Sequence, residues 1–146
     1  MAAVSRAEAT WQGDLPSGSG KVSAASSRAF SDLGVSWAAR TQSHNGKTSP
    51  EELVAAAHAS CFAMALSGGL GKAGTPPERL DVSAEVTFDQ VEGGWAVKSS
   101  ALTVRGKVPG IDQSAFKQAA EGAKDGCPIS KALKGNIQMS VDATLE

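Results

Sequence analysis

Residues 49–70 read SPEELVAAAHASCFAMALSGGL, and this stretch decides the fold because it predicts a long, buried helix. Ser49 is a favourable N-cap, Pro50 suits the first helical position, and Glu52 at the third position completes a capping box. Residues 53–66 are almost all apolar and carry no charge, which is typical of a helix buried around most of its circumference. We expect this helix to be too short, and too polar at its ends, to span a membrane.

A helix this uniformly apolar needs cover on more than one side. The few strands of one small chain can cover only one side of it. We therefore expect the other side to meet the same helix of a second copy across a two-fold axis. The sequence predicts an obligate homodimer.

Length and charge limit the class of protein. The 146 residues fit a single domain over 1–146 that is large enough for a real core. A net charge of -1 with mixed signs predicts neither nucleic acid nor membrane as a partner. The opening residues MAAVSRAEAT contain no apolar signal region, so we expect a cytoplasmic protein. In that reducing compartment the two cysteines are ordinary thiols or a redox pair.

Alternation and turn residues along the rest of the chain predict an α+β fold with a largely antiparallel sheet. The predicted elements are a hairpin of residues 4–11 and 20–25, a strand at 35–40, a strand pair at 80–89 and 95–108, helices at 112–125 and 128–134, and a strand at 137–145. The apolar phase of the return strand changes between Ala101 and Leu102, which predicts a bulge or a bend there. We prefer the hairpin to a flexible linker because Trp11 and Phe30 would otherwise have nowhere to be buried.

The two cysteines are the candidates for chemistry. Cys127 directly precedes Pro128 at a helix start, where the helix dipole and free N–H groups favour a thiolate. The alternative is that the Gly-Cys-Pro corner simply tolerates a small side chain. Cys61 is either a small core residue or a nucleophile that needs an arginine or lysine close by. The residues alone do not choose among the five arginines.

The two histidines carry a weaker signal. His58 lies three residues before Cys61 on the same helix face, but a histidine on an apolar helix is more often a satisfied core residue than a catalytic one. His44 is interpreted as a solvated loop residue. Cys61, Cys127 and His58 lack a fourth ligand and any ligand-pair spacing, so no metal site is predicted.

Three motifs carry a resemblance to a known family. They are SPEELVAAAHASCFAMAL at 49–66, VPGID at 108–112 and GCPISKAL at 126–133. They resemble the osmotically inducible protein C (OsmC) branch of the OsmC/Ohr organic hydroperoxide reductases. The likeness extends to WQGDL at 11–15 and so covers nearly the whole chain. It implies an OsmC-like fold in an intertwined homodimer, a thiol peroxidase activity and no bound cofactor.

The resemblance also implies roles for individual residues. Cys61 matches the peroxidatic cysteine and Cys127 the resolving cysteine. Arg40 falls where this branch places an arginine before the long helix, and Glu51 matches the carboxylate that holds it. The implied reaction converts Cys61 to a sulfenic acid, which Cys127 resolves as a disulfide. An external dithiol then reduces that bond, and the resemblance implies that a lipoyl-bearing protein supplies it.

The helix geometry adds a hypothesis about the site. At about 1.5 Å of rise per residue, Glu51 and Cys61 lie roughly 15 Å apart along one helix, too far for a direct contact. We therefore expect a site composed across the dimer interface. The apolar residues Val54, Phe62 and Met64 are expected in the core, some of them lining a pocket for an organic peroxide. The alternative function is a non-catalytic, stress-induced redox-sensing or ligand-binding protein.

Overall fold

The computed structural model describes residues 1–146 and has an α+β architecture with two three-stranded sheets. In chain order the elements are β1 Ala7–Gln12, β2 Ser19–Ala24, β3 Leu33–Val35, α1 Trp37–Thr41, α2 Pro50–Lys72, β4 Arg79–Val91, β5 Gly94–Lys107, α3 Gln113–Gly126, α4 Pro128–Leu133 and β6 Gln138–Leu145. The chain forms two compact units, Met1–Leu53 and Val54–Glu146. That residues 1–146 act as one domain stays a prediction.

The first unit contains an antiparallel sheet in the order β1-β2-β3, and the predicted hairpin is confirmed as β1 and β2. The expectation that Trp11 is buried is wrong, because its side chain is 41% exposed. Its indole instead lies against the backbone of β2. A Cβ atom on Gly20 would stand only 2.8 Å from that ring. A glycine is therefore required at this close approach.

The strand predicted at residues 35–40 is wrong. Strand β3 ends at Val35, and the short helix α1 follows it. The Ser36 side chain caps this helix, since its Oγ accepts the Ala39 N–H at 3.1 Å. A serine followed by good helix formers outweighs the weak alternation in this segment.

The predicted start of the long helix is confirmed. Ser49 Oγ accepts the Glu52 N–H at 3.1 Å, as an N-cap does. The Glu52 carboxylate accepts a bond from the Thr48 hydroxyl at 2.7 Å, whereas the capping box assigned it to the N-cap N–H. Helix α2 then continues through three glycines to Lys72.

The length of α2 corrects one expectation. Its 23 residues are long and apolar enough to cross a membrane by length and composition, so the expectation that it is too short is wrong. This is weak evidence for a membrane span, because the core helix of a soluble protein passes the same test. Only 22% of its most apolar window is buried within this chain.

The second unit contains a sheet in the order β4-β5-β6. Strands β4 and β5 are antiparallel, but β6 returns through α3 and α4 and pairs parallel to β5. The bulge predicted between Ala101 and Leu102 is wrong. The register shifts beside Lys98, because Thr87 pairs with Ser99 while Phe88 pairs with Val97.

The core of the second unit lies between this sheet and the helices. One stripe of α2 enters it at four-residue spacing, through His58, Phe62, Leu66 and Leu70. The helix predicted at 112–125 is confirmed as α3, and Asp112 is its N-cap, since its side chain accepts the Ala115 N–H. The cluster consists of Phe62, Leu66, Leu70, Leu102, Val104, Val108, Phe116, Ala120, Ala123, Cys127 and Ala143.

Candidate active site

The two cysteines are positioned by different helices of the second unit. Cys61 lies half-buried on α2, and Cys127 is fully buried between α3 and α4. Cys127 is both the C-cap of α3 and the N-cap of α4, with an extended backbone at φ -66° and ψ 138°. Pro128 at the first position of α4 has no N–H to satisfy there, which favours a helix start.

The fold brings these two residues together although 66 positions separate them in the sequence. Both are free thiols, and each lies near enough to the other to affect its pKa. Cys61 also packs against the apolar cluster that contains Cys127. The pair is therefore a reduced dithiol within the core of one unit.

The two thiols differ in acidity. Burial raises the pKa of Cys61; the Ile129 N–H acts against this rise and Cys127 adds to it. Burial alone would also raise the pKa of Cys127. Hydrogen bonds from the Ser130 hydroxyl and N–H, and from the Cys61 thiol, outweigh burial and hold the pKa of Cys127 below its usual range. Within this chain Cys127 is the more acidic thiol.

His58 is buried and has a partner at each ring nitrogen. Its Nδ1 lies 2.7 Å from Ser100 Oγ, and its Nε2 lies 2.8 Å from Ser130 Oγ. Ser130 Oγ lies 3.1 Å from the Cys127 sulfur, which also accepts the Ser130 N–H at 3.3 Å. Burial lowers the pKa of His58, so its imidazole is neutral at pH 7.

The serines were missed in the sequence, although one local signal existed for Ser130. It stands three residues after Cys127, the spacing at which an N-cap side chain meets a backbone N–H. No local signal connects Ser100 with His58, because they are 42 positions apart.

The first unit contains the other two candidate residues. Arg40 and Glu51 form a two-point ion pair, with Nη2 to Oε1 at 2.6 Å and Nε to Oε2 at 3.2 Å. The Arg40 guanidinium also lies over the Trp37 ring, 5.6 Å from its centroid. The Glu51 side chain is 8% exposed and that of Arg40 is 29% exposed. This geometry fixes the guanidinium more firmly than a single contact would.

The apolar residues beside Cys61 divide between core and surface. Phe62 is fully buried as expected, but Met64 is 69% exposed, so the expectation that it belongs to the core is wrong within one chain. Met64 lines an open groove between α2 and α3 together with small residues such as Gly68 and Gly122. No group of three or more histidine, cysteine, aspartate or glutamate side chains comes together in a metal-binding arrangement.

A dithiol held between a long core helix and a Gly-Cys-Pro corner of an α+β fold defines a thiol-based redox protein. The chain belongs to the OsmC family. The family model described as OsmC-like protein matches residues 43–142.

The most informative relatives agree with this assignment. Peroxiredoxin OsmC of Escherichia coli strain K12 is 42% identical over 134 residues, which cover 92% of each chain. Organic hydroperoxide resistance protein OhrA of Bacillus subtilis is 31% identical over 121 residues, or 79% of this chain and 77% of that protein. The crystal structure of OhrB of Bacillus subtilis matches with a TM-score of 0.75 at 22% identity, covering 95% of this chain and 98% of that one. This likeness confirms the predicted OsmC-like fold.

Proposed function

We propose that this protein is a thiol-dependent peroxidase that reduces organic hydroperoxides to alcohols. The observation that carries the proposal is the pair of free thiols: Cys127 belongs to the apolar cluster, Cys61 packs against that cluster, and each thiol affects the pKa of the other. The names of the relatives, peroxiredoxin and organic hydroperoxide resistance protein, support the same activity.

In the proposed reaction the Cys61 thiolate attacks the distal oxygen of the hydroperoxide. The O–O bond breaks, the alcohol leaves, and Cys61 becomes a sulfenic acid. Cys127 then attacks the Cys61 sulfur, water leaves, and a disulfide forms. An external dithiol returns both residues to thiols by exchange, and a lipoyl-bearing protein is the proposed donor.

The proposed nucleophile needs help from a cation, because burial raises the pKa of Cys61. We assign this role to Arg40, which Glu51 holds through two hydrogen bonds. A guanidinium beside Cys61 would stabilise the thiolate and the charge that develops on the departing alkoxide. Arg40 and Glu51 are therefore proposed members of the active site.

The homodimer is part of the proposal. Between residues 53 and 71 of α2, the exposed positions are all alanine, glycine or serine apart from Met64. Small residues let two helices approach closely, and burying this face against a second copy removes apolar surface from water. Sedimentation of the wild type and of Met64→Lys tests this: we expect a dimer that the substitution weakens, while a monomeric wild type would contradict it.

The location and substrate follow from the same chemistry. Free thiols fit the predicted cytoplasmic location, where disulfides are kept reduced. The surroundings of the dithiol are apolar, which favours an organic hydroperoxide over H₂O₂. No nucleic acid or membrane takes part in this proposal.

The decisive experiment is steady-state turnover of cumene hydroperoxide and of H₂O₂ with dithiothreitol as reductant. We compare the wild type with Cys61→Ser, Cys127→Ser and the exposed control Ser60→Ala. We expect turnover that prefers the organic peroxide, is lost in Cys61→Ser and is unchanged in Ser60→Ala. If the wild type consumes only one equivalent of hydroperoxide, the result would contradict catalytic turnover and favour a redox sensor.

A further inference from the structure

A buried chain of hydrogen bonds runs from β5 to Cys127, and the proposed reaction above does not use it. Its members are Ser100, His58 and Ser130, all at most 1% exposed. The contacts are 2.7 Å from Ser100 to His58, 2.8 Å from His58 to Ser130, and 3.1 Å from Ser130 to the Cys127 sulfur. Burying four linked polar groups costs free energy that apolar side chains at all four positions would avoid.

The donors and acceptors in this series of hydrogen bonds can be arranged in two directions. In the first, the Cys127 thiol donates to Ser130 Oγ, whose hydroxyl donates to His58 Nε2, while Nδ1–H donates to Ser100. In the second, His58 donates to Ser130, and the Ser130 hydroxyl donates to the Cys127 sulfur. The first direction suits a neutral thiol and a neutral imidazole, and the second suits a thiolate beside an imidazolium. Two coupled proton transfers, from Cys127 to Ser130 and from Ser130 to His58, convert the first state into the second.

We propose that Ser130 and His58 form a proton relay that activates Cys127 as the resolving nucleophile. Ser130 contacts the reacting sulfur and is a catalytic residue in this step. His58 acts through Ser130 and is a positioning residue that also holds the proton. This inference rests on the proposed peroxidase function for its biological step, but the relay itself can be tested without a peroxide.

The resolving step moves two protons along the relay and replaces the S–O bond of the sulfenic acid with an S–S bond. The Cys127 proton passes to Ser130 as the Ser130 proton passes to His58 Nε2. The Cys127 sulfur bonds to the Cys61 sulfur while the S–O bond of the sulfenic acid breaks. The Cys127 sulfur is oxidised, the Cys61 sulfur is reduced, and the departing hydroxide is neutralised by one proton, which His58 gives up as it returns to the neutral state.

Two features of the site support this role. Each ring nitrogen of His58 has a serine hydroxyl as its partner, and burial lowers the pKa of His58, so the imidazole begins neutral. The Ser130 N–H also donates to the Cys127 sulfur at 3.3 Å, so the thiolate is solvated by fixed groups as it forms. Because Cys127 is fully buried, these groups take the place of water around its sulfur.

The test uses dithiodipyridine, an aromatic disulfide that releases one chromophoric thione at each exchange. Cys61 is the more exposed thiol and reacts first; Cys127 then displaces the second thione from the mixed disulfide on Cys61. Stopped-flow absorbance on the full reduced protein gives both rates. The variants are His58→Gln, which keeps hydrogen-bonding groups but is not a base, and Ser130→Ala, with Ser60→Ala as the matched serine control.

We expect the second release to slow by at least about tenfold in His58→Gln and in Ser130→Ala, with the first release unchanged. The wild type should also show a solvent deuterium isotope effect on the second release that His58→Gln abolishes. With cumene hydroperoxide, the Cys61 sulfenic acid trapped by dimedone should persist longer in both variants. Ser60→Ala should match the wild type throughout.

Other outcomes separate the two proposals. A second release as fast in both variants as in the wild type would overturn the relay, even if peroxide turnover is confirmed. Equal slowing of both releases, with no change in the isotope effect, would also overturn it, because His58 would then act only on packing. A slowed second release in a protein that does not turn over hydroperoxide would support the proton relay and contradict the proposed peroxidase function. Ser130→Ala leaves the imidazole in place, so this result does not depend on His58→Gln folding well.

Discussion

All six residues of β1 are exposed, whereas every second residue of β5 from Ser100 onwards is buried. The same contrast extends to the two units. In Met1–Leu53 the one buried apolar side chain is Ala39, and the most prominent contact is the ion pair of Arg40 and Glu51. In Val54–Glu146 an apolar cluster surrounds a neutral network that ends at the dithiol.

Under the proposed function, two requirements of thiol chemistry are supplied by different means. The proposed resolving cysteine, Cys127, is shielded by the apolar core of the second unit. The Arg40 guanidinium of the first unit is held by the Glu51 carboxylate, without an apolar core around it.

The largest expected effect is the loss of stability when a buried side chain of the second unit is truncated. Phe116→Ala should lower the free energy of unfolding by about 3–5 kcal/mol, because the ring is fully buried against the sheet. Its matched control is Thr103→Ala on the exposed face of β5, which should change stability by less than about 0.5 kcal/mol. Urea denaturation measures both, and similar losses from the two variants would contradict a one-sided sheet.

The next prediction tests whether the ion pair of Arg40 and Glu51 contributes to the proposed reaction of the two cysteines. Arg40→Ala should lower kcat/KM for cumene hydroperoxide by about a hundredfold, since it removes a fixed positive charge from the proposed transition state. Arg40→Lys keeps the charge but not the two-point contact, and should recover only part of the loss. The control is Arg6→Ala, an exposed arginine; an activity for Arg40→Ala equal to that control would remove Arg40 from the site.

A smaller effect concerns pH and the buried imidazole. Burial holds the pKa of His58 in the folded state below the 6.5 of a free imidazole, so the unfolded chain takes up a proton first as pH falls. This contribution to stability is present above pH 6.5 and is lost below it, with a slope of at most about 1.4 kcal/mol per pH unit.

Chemical denaturation between neutral and mildly acidic pH measures that slope. His58→Gln should flatten it, while Ser60→Ala, which changes an exposed residue that does not titrate, should leave it as in the wild type. The groups facing His58 are the neutral hydroxyls of Ser100 and Ser130, so no carboxylate bonded to the ring compensates its charge. Equal slopes in the wild type and His58→Gln would contradict a depressed pKa.

The smallest expected effect is a factor of about two, and it is also the sharpest test of how the two units cooperate. A mixed dimer is prepared with Cys61→Ser in one chain and Glu51→Ala in the other. If each site combines Cys61 of one chain with Glu51 of its partner, one site loses both residues and the other keeps both, so half of the activity remains. If each site draws both residues from one chain, one site carries Cys61→Ser and the other carries Glu51→Ala. Both sites are then damaged, and the activity equals the mean of the two homodimeric variants.

Local signals in the sequence were enough for much of the fold. The cap at Ser49, the cap at Asp112 and the Gly-rich hairpin were predictable because their partners lie within a few residues. Helix α1 was missed because five residues are too few for a period to distinguish helix from strand. The parallel pairing of β6 was missed because only tertiary structure decides on which side a returning strand pairs.

The candidate site shows the same limit. Cys61 and Cys127 were found because their motifs resemble those of a family, and the pairing of Arg40 with Glu51 came with them. The network around His58 joins positions 42 and 72 residues apart, so no periodicity or spacing within a window reveals it. Sequence reasoning described His58 as a satisfied core residue, and the structure adds that its partners lead to a reactive sulfur.

The double role of Cys127 as a cap has a consequence for the backbone. A thiol or thiolate sulfur there accepts the Ser130 N–H in the first turn of α4. In the proposed disulfide with Cys61 that sulfur carries no negative charge, so the hydrogen bond that it accepts is weaker than the one that a thiolate accepts. The amide of Ser130 should then exchange with solvent deuterium faster in the oxidised protein than in the reduced one. The redox state of the dithiol would thereby be coupled to the local opening of the first turn of α4.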